Sequence, residues 1–305
     1  SRSKISSRDG SHAAGSRAWE PALLQNLDPL MISRVDLHLH STASDGQFSP
    51  SELVAMALER NLIAIAITDH DTTAGVDEAL EAARGTGLEV IPGVEISCDV
   101  PHEEVHLLGY YFDRHHPALR GKLRAIRDAR LRRAKGMLAK LAALGFPLRW
   151  QTVAELAGDG SVGRPHIAQA MLKMGYVASN DEAFNLYIGR NGPAYVERYK
   201  LGPSDAVSLI EEARGLPVLA HPLKVMHFLP SLVEAGLVGL EVYYNGYSPE
   251  DIRELAALAR KFDLIPTGGS DFHGPGVLDT VEMGGVWVPM ESVERLRALA
   301  KKMRS

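Results

Sequence analysis

Nine residues of three types stand at or near the ends of apolar segments: His38, His40, Asp45, His70, Glu95, His106, His221, Asp271 and His273. His38 and His40 are two apart in RVDLHLH, so on an extended strand both side chains leave the same face and one strand offers two imidazoles to one cation. Asp45 follows in the next loop, and TDHD places Asp69, His70 and Asp71 together. Glu95 ends the run before ISC, His106 lies in the next apolar segment, His221 in AHP, and Asp271 and His273 in SDFH. Imidazole and carboxylate donors without a thiolate suit Zn, Mn or Fe and disfavour Ca. A carboxylate such as Glu95 can bridge two cations, and two cations ~3.5–4 Å apart clamp the attacking and leaving oxygens of a phosphoryl displacement. A lone strand-end histidine is more often a hydrogen-bonded surface residue, and HxH alone is a modest signal. The expectation of one shared metal site rests on the whole set recurring across five or six segments. Asp69 and Asp71 read either as partners that orient an imidazole or as plain loop acids or helix caps.

The elements that must position these residues alternate. RVDLHLH, LIAIAIT, LEVIPGVEIS, VHLLGYYF, PVLA, GLEVYY, LIPTGGS and GVWVP read as strands. LIAIAIT is a continuous apolar run, as expected of a strand covered on both faces in a parallel sheet. Between the strands lie helical segments, two with capping boxes at Ser49/Glu52 and Ser248/Asp251. About seven strand–helix units predict an α/β fold of barrel type, with each strand delivering its ligand to the C-terminal rim. Between about Pro117 and Tyr199 the rhythm breaks into helices. The expected division is therefore barrel over 31–116, a helical insertion over 117–200 and barrel again over 201–305. Residues 1–30, rich in Ser, Arg, Gly and Ala, read as an extension that is disordered or foreign to the natural chain, with Met31 as a natural start.

Bulk properties narrow the function classes. A chain of 305 residues, 45% hydrophobic and 23% charged, has the composition of an ordinary globule with a sizeable core. No apolar run approaches the ~20 residues of a membrane span. The single cysteine, Cys98, excludes an internal disulfide and a cysteine-rich zinc site, and a cytoplasmic location is expected. The net charge of −5 argues against tight binding of long duplex nucleic acid.

DLHLHSTASDG, ITDHD, PGVEIS, HLLGY, AHP and SDFHG together resemble the PHP (polymerase and histidinol phosphatase) family over Met31 to about Pro289. The resemblance is strongest to its bacterial nucleoside 3′,5′-bisphosphate phosphatase group, some members of which trim short RNA from the 5′ end. It implies a distorted (β/α)7 barrel, PHP-like, with an inserted helical subdomain and two to three divalent cations, Mn first and Zn or Fe as alternatives. By that resemblance His38, His40, Glu95 and Asp271 hold one metal, and Glu95, His106 and His221 a second. Asp45, His70 and His273 hold a third, and Asp45, His70, His221 and His273 sit closest to the chemistry.

The insertion bears on the substrate. From Ala118 to Trp150 ten Lys or Arg stand against one acid, Asp128. Arg124, Arg127, Arg130 and Arg133 recur every third residue of the helix expected over Ala118–Leu144 and share a broad face. Such a face is often only solvated surface, yet arginine's planar fork suits phosphate oxygens. GRPHIA adds Arg164 and His166, which the resemblance implies touch a substrate phosphate. LYIGRNGPAYV adds Arg190, equally well a turn-stabilising residue. Tyr243 and Tyr244 either stack on a base or pack in the core. The expected reaction is hydrolysis of a phosphate monoester, the 3′-phosphate of a nucleoside 3′,5′-bisphosphate, by a hydroxide bridging the metals, with Arg130, Arg133, Arg164 and His166 holding the second phosphate. The alternatives are a 5′→3′ exonuclease on short RNA or DNA, a histidinol-phosphate-type phosphatase, and a non-catalytic metal-binding regulatory module. The expected partners are small phosphorylated nucleotides and short RNA ends, with no membrane and no long duplex.

Overall fold

Seven strands form one sheet whose order follows the chain: β1 (Val35–Leu39), β2 (Ala64–Ile67), β3 (Glu89–Val100), β4 (Glu103–Tyr110), β5 (Leu216–Leu219), β6 (Gly239–Tyr244) and β7 (Ile265–Gly269). The computed structural model describes residues 34–100, 103–158, 162–197, 201–276 and 282–304. The extension expected over residues 1–30 lies outside the described residues. Just past the last strand, Leu39 pairs with Phe272 and His40 N–H donates to Phe272 C=O at 3.0 Å. The seven strands thus close nearly into a barrel.

Helices cover the outside. α1 (Pro50–Glu59) follows β1 and α2 (Val76–Ala82) follows β2. α1 begins where the sequence places it: the Glu52 carboxylate accepts from Ser49 N–H at 2.7 Å, Ser49 Oγ accepts from Glu52 N–H, and Pro50 occupies the first turn. Every residue of β2 is buried because Ile65 and Ile67 pack under Leu53, Val54 and Ala57 of α1 while the opposite face looks into the barrel. That two-sided burial is the reason for an unbroken apolar run.

Between β4 and β5 the chain is helical: α3 (Pro117–Ala143), α4 (Trp150–Ala157), α5 (Arg164–Lys173) and α6 (Asn180–Ala183), the last running into a π-turn over Phe184–Ile188. Met137 and Leu141 of α3, Val153 of α4, Ile167 and Met171 of α5 and Ile188 share a core of their own. The barrel then resumes with α7 (Pro203–Glu212), α8 (Leu229–Glu234), α9 (Pro249–Lys261) and α10 (Met290–Arg304).

Three expectations need correction. The sheet is not all parallel, since β4 runs antiparallel to both β3 and β5. The β3–β4 connection is too short for the dozen or more residues a parallel crossover needs. Glu95 does not end its strand either, for β3 continues to Val100 as the long arm of the hairpin with β4. Finally, GVWVP forms no strand. Closure of β1 onto Phe272 leaves no edge for it to pair with, and it packs instead by burying Val288 and setting Trp287 edge-on against Tyr243.

Candidate metal centre

All nine donor residues converge at one mouth of the barrel. His38 on β1 and His40 just past its end are both fully buried. Glu95 lies between the two halves of the cluster. Its Oε2 is 3.5 Å from His38 Nε2, 3.2 Å from His40 Nε2 and 2.9 Å from His70 Nδ1, while Oε1 is 2.8 Å from His106 Nδ1 and 3.1 Å from His221 Nε2. Asp271 Oδ1 approaches His38 Nε2 at 3.3 Å and His40 Nε2 at 3.0 Å. Asp45 faces His273 at 3.5 Å and His70 at 3.9 Å. The antiparallel run of β4 brings His106, midway along it, to the same mouth as the ends of the parallel strands. Donor atoms gather within 4.8 Å of one another in three sets: His40, Asp45, His70 and His273; His38, His40 and Glu95; His70, Glu95 and His106.

These donors fit cations better than they fit one another. His38 Nε2, both His40 nitrogens, His70 Nδ1, His106 Nε2, Asp45 Oδ1, Glu95 Oε2 and Asp271 Oδ1 are buried without a hydrogen bond, and buried polar atoms are seldom left so. Charge interactions say the same. Burial opposes charging His40, yet its contacts with Asp271 and Glu95 outweigh that and lift its pKa to about 10. Burial favours neutral Glu95 and Asp271, yet the surrounding imidazoles hold both well below the usual carboxylate range. Without metal, protons supply the positive charge that the clustered carboxylates demand.

A surrounding layer holds the donors in place. Glu241, in the middle of β6 and fully buried, takes His38 Nδ1 at 2.9 Å and accepts His221 N–H at 2.6 Å, so one carboxylate orients two candidate ligands. Sequence reasoning passed over it. The available signal was an acid inside the apolar strand GLEVYY, at an inward-facing position. Asp36 ties β1 to the end of β7 by accepting from Ser270 N–H, Ser270 Oγ and Gly284 N–H. Asp69 accepts from Ser41 N–H, Ser41 Oγ and Ser44 Oγ, each at 2.7 Å, and so braces the loop that carries Asp45. Asp71 accepts from Ser97 N–H and pairs with Arg130. Tyr244 Oη donates to Asp271 Oδ2 at 2.8 Å, whereas Tyr243 is buried against Trp287 in the core.

The backbone is strained at this mouth. Asp71, His221 and Asp271 all have positive φ, at 53°, 27° and 55°, a region that costs a non-glycine residue about 1–3 kcal/mol and persists where the surroundings over-determine it. Gly269 permits the close approach of β7 to β1, since a Cβ there would meet His38 Cβ and N at 2.5 Å.

The insertion closes one side. A cleft of about 140 Å³ runs from Asp45, His70 and His106 to Arg130, Arg133 and Arg164, with Phe184 on its wall. Arg130 donates to Ser97 Oγ at 2.8 Å and pairs with Asp71. Arg133 donates to Val196 C=O at 2.6 Å and lies over the Tyr195 ring. Arg164 pairs with Glu104 and stacks on Phe184. His166 and Arg190 are not among the lining residues. His166 lies in the first turn of α5, with Nδ1 accepting from Gly163 N–H at 3.0 Å. Burial, with Arg130 nearby, keeps its pKa low. Arg190 donates to Glu103 C=O at 2.6 Å.

A nearly closed α/β barrel with a buried His/Asp/Glu cluster at its mouth, next to a basic cleft, is the architecture of a metal-dependent phosphoesterase. Residues 36–214 match the PHP domain family. Over 252 residues the chain is 36% identical to a 5′-3′ exoribonuclease of Haemophilus influenzae, covering 80% of this chain and 92% of that protein. It is 34% identical over 258 residues to a 3′,5′-nucleoside bisphosphate phosphatase of Chromobacterium violaceum, covering 80% and 89%. Among solved structures, an amidohydrolase from Chromobacterium violaceum with bound sulfate and no metal superposes with a TM-score of 0.79 at 31% identity, covering 88% of this chain and 97% of that one. The chain belongs to the PHP domain family, and it is a metal-dependent phosphatase. The reading as a non-catalytic regulatory module is set aside. Among the described residues no helix is long and apolar enough to cross a membrane.

Proposed function

We propose that the chain hydrolyses the 3′-phosphate of nucleoside 3′,5′-bisphosphates. The observation that carries this reading is the single cleft in which Asp45, His70 and His106 face Arg130, Arg133 and Arg164, so that a hydrolytic site and a second anion site adjoin. His38, His40, Glu95 and Asp271 would hold one cation, Glu95, His106 and His221 a second, and Asp45, His70 and His273 a third, with manganese the first choice. When bound, such cations neutralise phosphoryl oxygens and acidify water to a pKa near ~7.

The chain's own residues do the rest. Arg133 and Arg164 lie against aromatic rings and so present their guanidinium groups in fixed planes, which suits paired hydrogen bonds to a phosphate. Arg130 is held by Asp71 and Ser97, so its orientation is set before substrate arrives. His166 accepts at Nδ1, which leaves the proton on Nε2 and makes the neutral ring a donor on its far side. Binding the phosphate that is not cleaved aligns the one that is, converting remote binding energy into rate.

The test is phosphate release from adenosine 3′,5′-bisphosphate compared with adenosine 5′-monophosphate, on manganese-loaded protein. The bisphosphate is expected to be the better substrate by about 10–100-fold in kcat/KM, the worth of one or two charged hydrogen bonds. Equal rates, or no release from either, would overturn the reading. Exonuclease action on short oligonucleotides is a second reading, favoured by the basic row that continues along α3 beyond Arg130.

A further inference from the structure

Among the described residues that line the cleft at the barrel mouth, Glu104 is the one acid that is not a candidate metal ligand. It stands two residues before His106 on β4, so the two side chains share a face, about 7 Å apart along the strand at ~3.4 Å per residue. Its carboxylate pairs with Arg164. A carboxylate among arginines that are to hold a phosphate repels that phosphate and occupies one of its donors.

The three arginines of the cleft are held in different ways. Arg130 pairs with Asp71, whose side chain is 0% exposed and also accepts from Ser97 N–H at 2.9 Å. That acid is locked in the wall. Arg133 lies over the Tyr195 ring and donates to Val196 C=O. Arg164 does not depend on a carboxylate to fix its plane, because it already lies over the Phe184 ring. The Glu104 side chain is 32% exposed, so it has water to turn to. A pair open to solvent in this way adds little to stability, and either partner exchanges readily with another ion.

Removing the 3′-phosphate of a bisphosphate leaves a nucleoside 5′-monophosphate, which still carries the phosphate that the arginines hold. A contact equally strong to substrate and product tightens both and delays the product's departure. We infer that Glu104 is an internal counter-anion for Arg164, giving way to the uncleaved phosphate of the substrate and closing back on the guanidinium as the monophosphate leaves. The inference rests on the bisphosphate reading above. Glu104 is in these terms a positioning residue that acts through Arg164 and sets how firmly the product is retained.

The experiment measures adenosine 5′-monophosphate as an inhibitor of 4-nitrophenyl phosphate hydrolysis by manganese-loaded wild type, Glu104→Gln, Arg164→Gln and the double variant. Gln keeps the shape of the Glu104 side chain and removes its charge. The inhibition constant of the monophosphate should fall about 5–10-fold in Glu104→Gln, the worth of one competing charged partner in a half-open site. KM for adenosine 3′,5′-bisphosphate should fall with it. In the Arg164→Gln background the same change should move the inhibition constant by less than about twofold, because the guanidinium for which carboxylate and phosphate compete is gone. Loss of a merely structural contact would loosen binding, the opposite direction. An unchanged or raised inhibition constant in Glu104→Gln overturns the inference, as does an equal tightening when Arg164 is absent. Tightening of the monophosphate in a protein whose wild type releases no phosphate from the bisphosphate would sink the substrate reading and leave the counter-anion standing.

Discussion

The barrel mouth and the long helix α3 solve different problems with similar numbers of charged residues. At the mouth five of the nine donors are buried and the other four half-buried, and several are held by a neighbouring polar group: Glu241 on His38 and His221, Asp69 under the loop of Asp45, Tyr244 on Asp271. Along α3 the charges grade outward, from buried Arg133 through half-buried Arg130 to exposed Arg127, Arg124 and Arg120. Cation chemistry requires donors fixed to a fraction of an ångström, which only packing and a surrounding hydrogen-bond layer supply. Anion attraction tolerates loosely placed cations, because it falls off slowly with distance in a concave site.

The sharpest way to break that comparison is at the centre of the mouth. Glu95→Ala is expected to lower turnover by at least ~10³-fold, the worth of several kcal/mol of lost charge stabilisation, and to reduce bound metal in elemental analysis. A variant that kept both its metal and its rate would show that Glu95 is not a shared ligand.

Acid should act on the same place. In the metal-free protein His40 keeps its proton up to about pH 10, so metal must displace a proton and its apparent affinity must fall as pH falls, by about tenfold per unit for each proton displaced. Between pH 7 and pH 5 metal affinity should drop at least ~100-fold, read by metal titration in buffers of each pH. The stability of the metal-free fold follows the same groups with opposite signs. The His40 contribution is complete below its ordinary value of 6.5 and is lost as pH rises through about 10. Those of Glu95 and Asp271, whose pKa values are depressed, are present above the ordinary carboxylate range and are lost as acid protonates them.

Next in size is Glu241→Gln, expected to cost about 10–100-fold in metal affinity or activity because it loosens the orientation of His38 and His221 without removing a ligand. Wild-type metal binding in this variant would mean that the carboxylate charge is idle. The smallest effect belongs to the insertion. Arg164→Gln should raise KM for the bisphosphate about 10-fold while leaving an aryl phosphate with its wild-type kcat and KM. Equal losses on both substrates would show that Arg164 does not read the second phosphate.

Much of the mouth was legible because its signals are local. The two-residue spacing of His38 and His40 decides that they share a face, and capping boxes at Ser49 and Ser248 decide where two helices start. Other features carry no local mark. Glu241 looks like any strand acid until β6 closes beside β1. The positive φ of Asp71, His221 and Asp271 is only weakly marked by residue type, Asp and His being enriched there, because the positions that adopt it are decided by neighbours. The motifs that carry His166 and Arg190 give no sign that His166 Nδ1 accepts from Gly163 N–H or that Arg190 donates to Glu103 C=O.

The residue string alone determined the donor chemistry, the alternation of strands and helices, and the basic character of the helical stretch, because these depend on composition and on short-range periodicity. Tertiary structure alone decided that β4 reverses, that GVWVP stays out of the sheet once β1 meets Phe272, and that Glu95 lies between two groups of imidazoles. Each of these depends on which distant segments compete for the same edge or the same buried volume, and that competition is resolved only when the barrel closes.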